Sequence, residues 1–154
     1  MPGDEHVPDL SEAQAAGPRP GTTVVHRRYV PYSHAHYAGN LVDGAYSLAA
    51  FGDVATELCI RTDGDEGLLA SYSEVQFRAP VRAGDVIEIT ATLVRVGGRS
   101  RELEFAVRVL ARGAPERGTS SAQPLDPPLV ATTARGVVVV PPRCGRPGRS
   151  ASRA

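Results

Sequence analysis

Nine consecutive residues, Tyr32-Ser33-His34-Ala35-His36-Tyr37-Ala38-Gly39-Asn40, hold two of the chain's four histidines together with three hydroxyl groups. Imidazole changes charge near neutral pH and is the natural general base or water-orienting group. His36, Tyr37 and His34 are therefore candidate catalytic residues, and Tyr32 and Ser33 candidate substrate contacts. An apolar period begins at Leu41, so this loop feeds a helix. Free N–H groups and the positive dipole end of a first turn can stabilise an oxyanion. Gly39 lets a substrate carbonyl approach the backbone. The Gly39 and Asn40 amides are the expected donors, with Asn40 as N-cap and Asp43 in the first turn as a further substrate contact. The His-x-His spacing brings no third ligand, so no metal is expected.

Other candidates lie outside the loop. Tyr72, Glu74, Gln76 and Arg78 alternate along a strand and should share one face, which makes Glu74 a reserve general base. Arg99 and Arg101 flank a Gly-Gly turn and could bind phosphates. His26 is read as structural. Asp43, Tyr46, Ala50, Asp53 and Glu57 form a helical stripe expected to be solvated or dimer-facing.

Composition narrows the chemistry. The 154 residues carry 17 basic and 17 acidic groups, and every basic one is arginine. Without lysine there is no Schiff base and no phosphate-loop lysine. Zero net charge argues against a general nucleic-acid binder. Cys59 and Cys144 are too far apart in sequence for a CxxC zinc site. No long apolar run or leader pattern occurs, so a cytoplasmic protein without a membrane span is expected.

The elements that must position these groups can be read from periodicity. Thr22–Val30 is β-branched and bounded by Gly21 and Pro31, a strand. Leu41, Ala45, Leu48, Gly52, Ala55 and Cys59 mark one helical face, ended by Thr62–Gly67. Strands are predicted at Leu69–Arg78, Asp85–Val96, Ser100–Arg112 and Val130–Val140, with Gly97–Gly98 as a hairpin turn. One helix among strands predicts an α+β fold, an antiparallel sheet packed on a central helix. Residues 1–20, acidic, and 143–154, arginine-rich, have tail compositions around one domain at 21–142, and 113–128 reads as a flexible loop.

The segments HYAGNLVDGA, FGDVATELCIR, DGDEGL, FRAPVRAGDVIE and PPLVATTARGVVVVPP together resemble the 3-aminobutyryl-CoA ammonia lyases, over roughly residues 25–142. That resemblance implies a hot-dog fold, a helix wrapped by an antiparallel sheet, in dimers or larger homo-oligomers with active sites at the subunit interface. It implies a CoA or carrier-protein thioester as substrate and ammonia or a small amine as co-substrate. The pantetheine would belong to the substrate, with no other cofactor. The reaction implied is reversible amine addition to a 2-enoyl thioester. The alternative is a hot-dog thioesterase, one version of which adds an amino acid such as glycine before hydrolysis. Rough alignment puts Ser33 and Ala45 or Tyr46 where common hot-dog thioesterases carry their acid. A non-catalytic acyl-thioester binding module is the reading from a different class.

Overall fold

Asp43 starts the one long helix among the described residues, α1 (Gly44–Asp63): its carboxylate Oδ1 accepts from Tyr46 N at 3.0 Å. Gly64, at φ 65°, ends it and donates to the Ile60 carbonyl, a left-handed cap that glycine adopts without strain. In this computed structural model residues 17–142 are described. The expected tails, residues 17–20 excepted, and Cys144 lie outside the described residues.

Around α1 run β1 (Thr23–Tyr29), β2 (Leu68–Phe77), β3 (Val86–Val96), β4 (Ser100–Gly113) and β5 (Ala122–Val139). They form one sheet in the order β1-β3-β4-β5-β2, every neighbouring pair antiparallel. Alternation sends Ile87, Ile89, Ala91 and Leu93 of β3 and Leu103, Phe105, Val107 and Val109 of β4 inward. They meet Phe51, Val54 and Leu58 of α1 in one core. Phe51 stacks on Phe105 with centroids 4.9 Å apart, and the Tyr72 hydroxyl donates to the Leu48 carbonyl at 2.6 Å. Gly136 leaves room for the Phe105 ring, which a Cβ there would meet at 2.7 Å. Among the described residues no helix is long and apolar enough to cross a membrane.

Three expectations about the elements change. The helix begins at Gly44, and Asn40 is not its cap. The buried face is Ser47, Ala50, Phe51, Val54, Ala55, Leu58, Cys59 and Thr62, while Ala45 is exposed and Leu41 bridges to Arg82. Starting the period at Leu41 rotated the face, because the first residues after Asn40 are extended. Residues 113–128 are not a loop throughout. Ala122, Gln123 and Pro124 continue β5 against Gly113, Arg112 and Ala111 of β4, and Ala114 N donates to Ser121 O at 2.8 Å to close the hairpin.

Two buried ion pairs tie the periphery to the core. Asp85 is 0% exposed and takes two guanidinium bonds from Arg112, each 2.9 Å. Asp63, at the end of α1, takes two from Arg101, at 2.6 and 3.1 Å.

Candidate active site at the start of the helix

The histidine loop is held from both ends. Tyr32–His34 forms a 3-10 turn, with His34 N and Ala35 N returning to the Pro31 and Tyr32 carbonyls at 3.0 and 3.1 Å. His36 N and Tyr37 N both donate to the Leu41 carbonyl, at 2.8 and 3.0 Å. Asn40 turns the chain at φ 57°, a left-handed conformation asparagine tolerates. Its amide donates to the Tyr37 carbonyl at 3.0 Å and its own carbonyl accepts from Ala83 N at 2.8 Å. The Asn40 amide is thus already used, and Gly39 and Asn40 precede the helix's first residue, Gly44, by five and four positions. The first-turn amides that Asp43 leaves open are those of Gly44 and Ala45.

The two histidines diverge. His34 Nδ1 lies 2.9 Å from the Tyr46 hydroxyl, and the Arg28 guanidinium sits 5.5 Å above that tyrosine ring. His36 turns the other way: its Nδ1 is 3.8 Å from Asp43 Oδ2, and its ring meets Tyr37 edge-on at 4.7 Å. One carboxylate therefore caps the helix and faces an imidazole. The spacing is that of an ion pair, too long for a direct hydrogen bond.

Beside this pair opens a cavity of about 480 Å³, between the helix start and the end of β2. Tyr37, Asp43, Gly44, Ser47, Phe77 and Thr132 are among the residues that line it. Gly44 makes the opening: a Cβ there would lie 2.7 Å from the Phe77 ring. Ser47, Phe77 and Thr132 line this cavity and are not among the residues expected from the sequence. Ser47, three residues after Gly44, would have followed from a correct helix start, whereas nothing local marks Thr132.

Several expected contacts fall elsewhere. Tyr32 covers Gly84, whose φ is 89° and whose missing Cβ would be 2.8 Å from the phenol oxygen. Ser33 is exposed in the 3-10 turn. Glu74 does not share a face with Tyr72. It sits at φ 52° in a bulge of β2, so Tyr72 joins the aromatic core while Glu74 pairs with Arg135 at 3.3 Å. It lines a separate cavity of about 380 Å³ on the outer face of the sheet. Arg101 is not available for phosphate: it is 7% exposed, Asp63 holds its Nε and Nη2, and Nη1 donates to the Gly97 and Ser100 carbonyls. That bond to Asp63 keeps the guanidinium above its ordinary pKa despite burial. Arg99 remains exposed at the hairpin.

The Asp43–Glu57 stripe faces β1 rather than solvent alone. Arg28 reaches Asp53 at 3.3 Å and His26 reaches Glu57 at 2.9 Å, while Ala50 is buried. Desolvation pushes the Glu57 carboxyl up, but hydrogen bonds from Arg61 and His26 outweigh it and leave the pKa lowered.

Comparison with known proteins follows this geometry. Residues 39–113 match the thioesterase superfamily. Over 107 residues the chain is 47% identical to the 3-aminobutyryl-CoA ammonia lyase of Acetoanaerobium sticklandii, covering 70% of this chain and 85% of that protein. The β-alanyl-CoA:ammonia lyase from Clostridium propionicum superposes with a TM-score of 0.75 at 34% identity, covering 79% and 87% of the two chains. A hexameric hotdog fold thioesterase of Campylobacter jejuni shares the fold, with a TM-score of 0.61 at 23% identity over 79% of this chain and 84% of that one. The fold is the hot-dog fold, and the chain belongs to the 3-aminobutyryl-CoA ammonia lyase family.

Proposed function

We propose that the protein is a carbon–nitrogen lyase that reversibly eliminates ammonia, or a small amine, from the β-carbon of a 3-aminoacyl thioester carried on CoA or on a carrier protein. The observation that carries the reading is the Asp43 carboxylate, which caps α1 through Oδ1 and faces His36 through Oδ2 at the mouth of the cavity. The thioester carbonyl docks at the first turn of α1, against the Gly44 and Ala45 amides. His36, directly or through a water, takes the α-proton. Charge then collects on the carbonyl oxygen, where the amides and the helix dipole stabilise it. The amino group, bound as the ammonium, leaves as neutral ammonia with the electron pair of the C–N bond as the α,β double bond forms. In the addition direction the same groups act in reverse order. Tyr37 orients the amine, and Asp43, which lines the cavity, keeps the imidazole beside it. Pantetheine enters as part of the substrate, and no other cofactor is needed by this chemistry.

A second copy of the chain supplies the rest of the pocket wall. The outer strand β2 exposes Leu68 (67%) and Phe77 (58%), and Phe77 borders the cavity, so pairing there would enclose it. Of the two hairpin arginines, Arg99 is the one left to meet CoA phosphates.

The test is a product analysis. 3-Aminobutyryl-CoA is incubated with the protein, with thiol release and thioester mass followed together. Loss of ammonia with the thioester intact supports the lyase. Release of free CoA, with 3-aminobutyrate as product, would instead establish hydrolysis.

A further inference from the structure

The floor of the same cavity carries a hydroxyl pair to which the proposed reaction has so far assigned no task. Ser47 on α1 and Thr132 on β5 are 3% and 2% exposed, and both line the cavity. Thr132 Oγ1 donates to Ser47 Oγ at 3.1 Å, across 85 positions of sequence. A serine hydroxyl has one proton and two lone pairs. Thr132 occupies a lone pair, and the Ser47 proton has no acceptor among the described residues. Helical hydroxyls commonly give that proton to the carbonyl four residues back. Thr56 does so to Gly52 at 2.9 Å and Thr62 to Leu58 at 3.1 Å, but Ser47 does not. A buried donor without an acceptor, at the wall of a cavity, is a group placed for a ligand.

Its place in the helix says which ligand atom. Side chains of an α-helix lean toward the N-terminus, so the Ser47 hydroxyl lies over the turn that begins at Gly44. That is the turn whose amides are open. We propose that Ser47 donates its hydroxyl proton as a hydrogen bond to the thioester carbonyl oxygen, with Thr132 as the positioning residue that fixes the direction of that donor. The inference rests on the lyase reading for its substrate. Ser47 keeps its proton throughout: the α-proton goes to the base, the C–N pair leaves with ammonia, and the hydroxyl only meets the charge that gathers on oxygen. A donor of this kind acts more strongly on the enolate-like transition state than on the bound substrate.

The experiment compares wild type with Ser47→Ala, Thr132→Val and Thr132→Ser. It uses kcat and KM for 3-aminobutyryl-CoA and the infrared carbonyl stretch of bound butyryl-CoA, a saturated thioester that cannot eliminate. Ser47→Ala is expected to lose about 100-fold in kcat with KM within about threefold, the loss typical of one oxyanion donor. Its bound carbonyl should shift to higher frequency than in wild type. Thr132→Val should lose less, in kcat rather than KM, and Thr132→Ser should restore it. A folded Ser47→Ala protein with wild-type kcat and an unmoved carbonyl band overturns the proposal, while wild-type ammonia release leaves the lyase reading standing. If wild type binds butyryl-CoA but releases no ammonia, the lyase reading fails, and the carbonyl band alone decides the role of Ser47.

Discussion

Asp43 Oδ2 stands 3.8 Å from His36 Nδ1 while Oδ1 of the same carboxylate accepts the Tyr46 amide at 3.0 Å. A helix cap and an imidazole support thus share one side chain, and the two duties separate under substitution. Asparagine caps a helix about as well as aspartate, whereas alanine does not. Asp43→Ala should therefore cost about 1 kcal/mol of stability, and Asp43→Asn less than half of that. Both should lose at least about tenfold in kcat, the effect of an unsupported base. Chemical denaturation and steady-state rates on the same preparations check the separation. A fully active Asp43→Asn would remove Asp43 from the reaction.

Arg101 and Asp63 supply a contrast between structure and binding. Their side chains are each 8% exposed and joined by two hydrogen bonds. Arg101→Met strands a buried carboxylate and should destabilise the fold by about 3–5 kcal/mol, read as a lower urea midpoint. KM for the CoA substrate should stay within about twofold for the protein that folds. Arg99→Ala should do the reverse, raising KM with stability unchanged within about 0.5 kcal/mol.

Cys59 gives a pH dependence with a definite sign. Burial at 0% exposure, helped by nearby Asp63, pushes its thiol up to about 11 from 9.0. The folded chain favours the protonated thiol, so the contribution is whole below pH 9 and is lost as pH rises toward 11. Two pKa steps correspond to roughly 2–3 kcal/mol. Unfolding free energy measured from pH 8 to 11 should fall more steeply in wild type than in Cys59→Ala. At pH 8, in a Cys144→Ser background, native Cys59 should resist a thiol reagent and react once urea unfolds the chain.

Gly44→Ala tests the cavity mouth. The new methyl would meet the Phe77 ring at 2.7–2.8 Å, at the far end of a side chain that is 58% exposed in the single chain. Stability should change by less than about 1 kcal/mol, since alanine also favours the helix. KM should rise several-fold, and Phe77→Ala in the same chain should recover part of it. No change in KM would mean that the substrate enters elsewhere.

How far the sequence disclosed this arrangement depends on distance along the chain. Strand β3 was read at its observed end, Val96, and β4 at its observed start, Ser100, because both flank the Gly97–Gly98 turn. The helix start was misplaced because Asn40 and Asp43 are equally good caps, and the bonds that hold residues 40–42 out of the helix include tertiary ones, from Ala83 N to the Asn40 carbonyl and from Val42 N to the Val81 carbonyl. Glu74 was misread because a bulge breaks the alternation that the reading assumed. Arg101 looked like a surface arginine until the fold brought Asp63 to it from 38 positions away. The loop histidines were legible as a cluster, but their opposite orientations follow from Tyr46 and Asp43, which alternation and period do not reveal.

The most direct test of the central claim is the rate of ammonia release from 3-aminobutyryl-CoA by wild type and by His36→Ala, with folding verified by circular dichroism. The account predicts ammonia and a 2-enoyl thioester from wild type, and a kcat at least about 100-fold lower in the variant. A folded His36→Ala enzyme releasing ammonia at the wild-type rate would contradict it.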